Sequence, residues 1–94
     1  MKVLSATPIE DCFDGSFIKE FKLSQPITLD FITKLGDGNS LEYFPDFPLP
    51  FFRIEKKNVY QIKGVESNYT LRIIFSRHCG SNCVKDLITL INNL

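Results

Sequence analysis

The sequence predicts an α+β fold in which a mainly antiparallel sheet is covered by two helices, and three observations carry this prediction. Several segments alternate polar and apolar residues with the period of two that is typical of half-buried strands. Two other segments repeat apolar residues at helical spacing. The order strand, helix, antiparallel meander, helix favours a two-layer sandwich with both helices packed on one face of the sheet. With 94 residues the chain has room for one core, so we expect a single domain over residues 1–94.

The first clear strand is predicted from Ser16 to Leu23, where Phe17, Phe21 and Leu23 fall on one face. The segment before it has a weaker pattern. Residues 2–7 could form a short strand, and residues 10–15 are acidic and end in a glycine that favours a turn. The role of residues 1–15 is therefore left open.

A helix is predicted to follow this strand directly. Ser24 is a candidate N-cap, and Pro26 would occupy the first turn, where its missing N–H is harmless. Gly36 stands where a left-handed C-terminal cap is common. The apolar residues that recur at helical spacing between them are Ile27, Phe31, Ile32 and Leu35.

Four short strands are predicted in the next part of the chain, over residues 41–44, 51–56, 59–65 and 69–76. Asn58 tolerates the left-handed conformation that a tight hairpin connection needs. We expect one face of this meander to be solvated and to carry Arg53, Glu55, Gln61, Lys63, Thr70 and Arg72.

The second helix is predicted from about Asn82 to Asn92, with Ser81 or Asn82 as its N-cap. Its apolar stripe consists of Val84, Leu87, Ile88, Ile91 and Leu94.

The composition argues against several classes of function. The formal net charge is zero, which argues against binding nucleic acid or an anionic membrane surface. No segment has the apolar length of a signal peptide or a membrane span. The three cysteines are odd in number, so we expect reduced thiols and a cytoplasmic location.

Residues 43–52, here called the aromatic-proline segment, hold five aromatic rings and three prolines. Proline favours an extended backbone and lowers the entropy cost of presenting its neighbours to a partner. Two adjacent phenylalanines in a strand cannot both face the core. The residues predicted to form an interaction surface are Tyr43, Phe44, Phe47 and Phe51. The alternative is that rings of this segment cover an open edge of the core.

A second candidate site is the thiol-imidazole cluster, formed by His78, Cys79 and Cys83. Thiolate and imidazole are ligands for zinc or iron. Arg77 and the start of the second helix would favour the thiolate form. The cluster offers three ligands at most, and its spacing matches no common zinc or redox motif. The alternative is a pair of half-buried thiols where a strand passes into a helix.

The sequence contains no complete catalytic or cofactor motif, so we do not expect an enzyme. The leading hypothesis is a non-enzymatic accessory or regulatory domain that acts through protein–protein contacts. Its partner would be another protein or a second copy of the chain, which could form a homodimer through an exposed sheet edge. The alternative is a metal-binding or thiol-redox protein that uses the thiol-imidazole cluster. A small-ligand pocket between sheet and helices is a third possibility, for which the sequence offers no polar signature.

Overall fold

The computed structural model describes residues 1–94 and contains six strands and two helices. In chain order these are β1 (Val3–Asp11), β2 (Phe17–Leu23), α1 (Leu29–Leu35), β3 (Ser40–Phe44), β4 (Phe51–Lys56), β5 (Tyr60–Val65), β6 (Thr70–Phe75) and α2 (Ser81–Asn92). All strands join one antiparallel sheet in the order β1-β2-β6-β5-β4-β3. The predicted α+β class with an antiparallel sheet is confirmed, and the sheet dominates the fold.

Strand β1 is longer than the sequence predicts, since it runs through Pro8 into the acidic stretch. Pro8 is tolerated because β1 is an edge strand, where a missing backbone donor can face away from the ladder. The pairing of β1 with β2 shifts register twice, once near Val3 and once after Pro8. Both irregularities interrupt this edge of the sheet.

Helix α1 begins later than predicted, and Ser24 is not its N-cap. The cap is Thr28, whose Oγ1 accepts a hydrogen bond from the Phe31 backbone N–H at 3.1 Å. The Ser24 hydroxyl oxygen instead accepts from the Lys2 backbone N–H at 2.9 Å. The prediction of a left-handed cap at Gly36 is also wrong, because Gly36 has φ −83° and its N–H bonds to carbonyls within the helix.

Helix α2 begins at Ser81, one residue before the predicted start. The N-cap position therefore falls on Gly80, which has no side chain to accept a hydrogen bond, and the predicted caps at Ser81 and Asn82 are wrong. The predicted apolar stripe is confirmed. Leu87 and Ile91 are buried, and the remaining stripe residues, Val84, Ile88 and Leu94, pack against the core.

The core is one cluster of sixteen buried residues from strands, helices and connections. Its members are Phe21, Leu23, Ile27, Phe31, Ile32, Leu35, Phe52, Ile54, Tyr60, Ile62, Leu71, Ile73, Phe75, Cys79, Leu87 and Ile91. The members from β2, β4, β5 and β6 alternate along each strand and lie on the same side of the paired register. We call this side of the sheet the inner face and the opposite side the outer face.

Phe52 and Gly64 face each other across β4 and β5 on the inner face. Phe52 is fully buried, and a Cβ atom added at Gly64 would lie 2.8 Å from two atoms of its ring. Glycine is therefore required at this position so that the ring can lie across the neighbouring backbone. Because side chains alternate, fixing Phe52 inward turns Phe51 and Arg53 to the outer face.

The tight connections largely follow the sequence pattern. Asn58, between β4 and β5, has φ 64°, as predicted for the hairpin. Ser67, in the turn between β5 and β6, also adopts a positive φ. The strand predicted over residues 69–76 is shorter than expected, because Tyr69 precedes β6 and is 49% exposed.

Neither of the two helices has both the length and the apolar character needed to cross a membrane.

Replacing Gly64 with alanine should lower the free energy of unfolding by about 1–3 kcal/mol, because the new methyl group must displace the buried Phe52 ring. The matched control is Lys63→Ala on the exposed side of the same strand, which should change stability by less than about 0.5 kcal/mol. Urea unfolding followed by circular dichroism measures both variants. Equal losses for the two substitutions would contradict the role assigned to the Phe52–Gly64 contact.

Candidate functional site

The aromatic-proline segment spans the end of β3, the connection over residues 45–50 and the start of β4. All three prolines lie in the connection, where no ladder hydrogen bond is lost. The carbonyl oxygen of Pro50 accepts a hydrogen bond from the backbone N–H of Glu66 at 2.8 Å. This bond holds the end of the connection against the turn between β5 and β6.

Tyr43 is separated from the other three residues of the predicted interaction surface. It pairs with Phe52 in the register, and its side chain packs against the core on the inner face. Its hydroxyl donates a hydrogen bond to Oε1 of Glu66 at 2.7 Å. This bond to the carboxylate raises the pKa of the Tyr43 phenol above its ordinary value. Tyr43 therefore fastens the β5–β6 turn to β3.

Phe44, Phe47 and Phe51 form a group on the outer face, here called the aromatic triad. Phe44 and Phe51 are register partners on β3 and β4, and their stacked rings have centroids 4.5 Å apart. The Phe47 ring, from the connection, lies 4.9 Å from Phe51 and 6.3 Å from Phe44. Phe47 is 52% exposed. The structure thus brings together three of the four predicted surface residues and presents one ring to solvent.

A row of charged residues crosses the outer face at right angles to the strands, here called the charged row. Its members, in spatial order, are Glu42, Arg53, Lys63, Arg72 and Glu20. Arg53 binds Glu42 through Nη2 and Oε1 at 2.5 Å, and Nη2 of Arg72 lies 3.7 Å from Oε2 of Glu20. Lys63 lies between the two arginines and has no carboxylate partner. One positive charge at the centre of the row is therefore unneutralised.

An open cleft of about 620 Å³ is lined by members of both the aromatic triad and the charged row. Phe47, Leu49 and Phe51 contribute apolar surface to it, while Lys63 and Arg72 contribute positive charge. This volume is within the range of pockets that take small ligands or side chains of a partner. The polar side chains of the lining are those of Glu20, Lys63, Asn68, Thr70 and Arg72, so the cleft combines an apolar wall with hydrogen-bonding and charged groups.

The sequence did not single out Leu49, Lys63 or Arg72 as members of a site. Lys63 and Arg72 were expected on a solvated sheet face, and they do lie on the outer face. Their grouping with Leu49 depends on how the connection over residues 45–50 lies beside the sheet. No local pattern in the sequence predicts that placement.

The thiol-imidazole cluster lies where β6 passes into α2. Cys79 is buried, and its thiol donates a hydrogen bond to the carbonyl oxygen of Val59 at 3.2 Å. Cys83 is half-buried and His78 is exposed. All three cysteines of the chain are free thiols. No group of three or more His, Cys, Asp or Glu side chains is arranged to hold a metal ion.

Burial raises the pKa of the Cys79 thiol above its ordinary value, and the neighbouring Cys83 raises it further. Hydrogen bonds with Ser76 act in the opposite direction but are smaller. The expectation that Arg77 and the start of α2 would favour a thiolate is therefore wrong for Cys79. A protonated, buried thiol is a poor nucleophile and a poor metal ligand at neutral pH.

At neutral pH Cys79 should react with a thiol-specific disulfide reagent far more slowly in the folded protein than in the unfolded protein, because its thiol is buried and protonated. Its raised pKa also has a consequence for stability. The raised pKa means that the protonated Cys79 thiol stabilises the folded state. This stabilisation is complete below the ordinary thiol pKa of 9.0 and is lost as the pH rises through the higher pKa of the folded protein. Urea unfolding between neutral pH and pH of about 10.5 should show this decline, and Cys79→Ala should reduce its slope.

Cys12→Ala is the matched control, because Cys12 lies in the β1–β2 connection and is not among the groups that raise the pKa of Cys79, and this variant should keep the wild-type slope. Rapid modification of Cys79 in the folded protein would contradict the assignment of a protonated thiol.

No family model, curated protein or solved structure matches the chain.

Proposed function

We propose that this chain is a non-enzymatic accessory or regulatory domain that contacts a partner protein through the aromatic triad and the cleft beside it. The observation that carries the proposal is the grouping of three phenylalanine rings on the outer face, with Phe47 half exposed. Aromatic side chains in such a group supply much of the energy of protein interfaces, because each ring covers a large area at a small cost in conformational entropy.

The alternative that these rings merely cover the core has less support. Phe44, Phe47 and Phe51 belong neither to the core cluster nor to the partly buried residues that pack against it. Their contacts are with one another, on the side of the sheet opposite the core. A solvent-facing group of rings that does not complete the core favours a role in binding.

The segment that carries Phe47 is well suited to binding without large rearrangement. Three prolines restrict the connection over residues 45–50, and the hydrogen bond between Pro50 and Glu66 fixes one end of it. A restricted loop loses less conformational entropy when a partner binds. We therefore expect the surface to keep much of its shape in the complex.

The proposal takes the fold to be a two-layer sandwich in which both helices cover the inner face and leave the outer face free. Support comes from the core cluster, which joins Ile32 and Leu35 of α1 and Leu87 of α2 to inner-face residues of the sheet. It also takes the protein to act in the cytoplasm, with which three free thiols are compatible.

A zinc, iron or redox function at His78, Cys79 and Cys83 stays a prediction, and the geometry gives it less support than the outer face receives. Cys79 is buried and its pKa is raised, whereas His78 is exposed. Elemental analysis of protein purified without a histidine tag tests this alternative directly.

Replacing Phe47 with glutamine should weaken binding of the partner at least tenfold, which is a typical loss for a central aromatic contact. Stability should fall by no more than about 1.5 kcal/mol, because the ring lies outside the core and loses only its contacts with Phe44 and Phe51. Phe13→Gln is the matched control, since Phe13 is fully exposed in the β1–β2 connection. Quantitative mass spectrometry after affinity isolation compares the three proteins, and titration calorimetry with the purified partner gives the affinities.

Light scattering after size exclusion shows whether the partner is a second copy of the chain. If Phe47→Gln retains the same proteins as the wild type and Phe13→Gln, the proposed surface is wrong. If Phe47→Gln unfolds the protein, the ring belongs to the core and the proposal loses its support.

A further inference from the structure

We propose that the cleft binds an extended segment of the partner in which an apolar side chain and a carboxylate side chain are close neighbours. The apolar group lies against Phe47 and Leu49, and the carboxylate binds Lys63. This inference rests on the proposed function and deepens it by naming the chemistry of the partner.

The position of Lys63 in the charged row favours a carboxylate as the ligand group. Its direct cross-strand neighbours are Arg53 and Arg72, and like charges at opposite positions in a sheet repel one another. Each arginine is bound by a glutamate at the end of the row, but Lys63 is not. A carboxylate beside Lys63 would neutralise its charge and relieve this repulsion.

The apolar wall of the cleft selects the second group of the ligand. Leu49 is 67% exposed and Phe47 is 52% exposed. Both therefore expose apolar surface to water, which is unfavourable in free energy. Pro48 lies between them in the chain and lines the same cleft. An aliphatic or aromatic side chain placed here removes apolar surface from water on both molecules.

The charges of the cleft favour a peptide over a nucleic acid. Arg53 is hydrogen-bonded to Glu42, and Arg72 forms a looser ion pair with Glu20 at 3.7 Å, so Lys63 is the one cation of the charged row without a carboxylate partner. A nucleic acid carries a phosphate at every nucleotide. Glu20 also lines the cleft and would repel a phosphate backbone. A single carboxylate set beside an apolar group matches this lining better than a chain of phosphates.

The test titrates the ¹⁵N-labelled chain with three blocked peptides of equal length, in which leucine alternates with glutamate, glutamine or lysine. Amide shifts at Leu49, Gly64 and Val65 report binding in the cleft. The glutamate peptide should bind about two- to fivefold more tightly than the glutamine peptide at low salt. This difference should vanish at roughly 0.5 M salt, and Lys63→Gln should abolish it. Lys57→Gln, on an exposed turn, is the control and should preserve it.

Leu49→Ser should weaken the glutamate and glutamine peptides alike, which checks the apolar wall separately from the charge. The amide spectrum of each variant shows directly whether the fold is retained. Because Lys63 and Leu49 are both exposed, neither substitution removes a core contact.

Equal affinity for the glutamate and glutamine peptides would overturn this inference and leave the proposed surface standing. The absence of saturable shifts with any peptide would overturn it as well. Tighter binding of an oligothymidine of roughly eight nucleotides would overturn it in favour of single-stranded nucleic acid. Concentration-dependent shifts of the same amides without peptide would overturn it in favour of a second copy of the chain. The proposed function has a separate test. It fails if the Phe47→Gln variant still binds the partner as tightly as the wild type.

Discussion

The ring of Phe52 lying across the bare backbone of Gly64 is the contact on which the rest of the surface depends. It fixes which residues of β4 point into the core. A slip of one residue would turn Phe52 and Ile54 to solvent and bury Arg53, so the register is strongly specified. The outward direction of Phe51 and Arg53 is therefore a consequence of core packing.

The sizes of the two free-energy terms indicate that core packing, and not the surface ion pairs, sets the register. Burial of a phenylalanine side chain contributes about 1.5–3 kcal/mol, whereas an exposed ion pair contributes about 0–1 kcal/mol. The pairs Arg53–Glu42 and Arg72–Glu20 are both exposed, so they follow the register that the core imposes. The sheet can therefore carry three neighbouring cations on its outer face at small cost to its stability.

Much of the fold could be predicted because its signals are local. Strands β2, β4, β5 and β6 alternate clearly, and α2 has a regular apolar stripe. The start of α1 could not be predicted, because long-range contacts hold the residues before it. The backbone N–H of Ile27 bonds to the carbonyl of Asn68 at 2.8 Å, which keeps Ile27 out of the helix.

Part of the candidate site could also be predicted from a local signal. Alternation alone implies that Phe51 and Phe52 point to opposite faces. The charged row through Lys63 depends on the exact register between neighbouring strands, and Glu20 joins it only through pairing between β2 and β6, which are distant in sequence. For Cys79, burial is the largest influence on the thiol pKa, and the degree of burial depends on how the connection between β6 and α2 packs against the core.

The two edges of the sheet are unequal, and this restricts how copies of the chain could associate. Edge strand β1 contains Pro8 and two register shifts, whereas β3 pairs with β4 without interruption. Open-ended growth of a fibre requires two competent edges on every molecule. With one regular edge, pairing of β3 with β3 would join two molecules about a twofold axis and then stop. The irregularity of β1 would therefore terminate sheet growth.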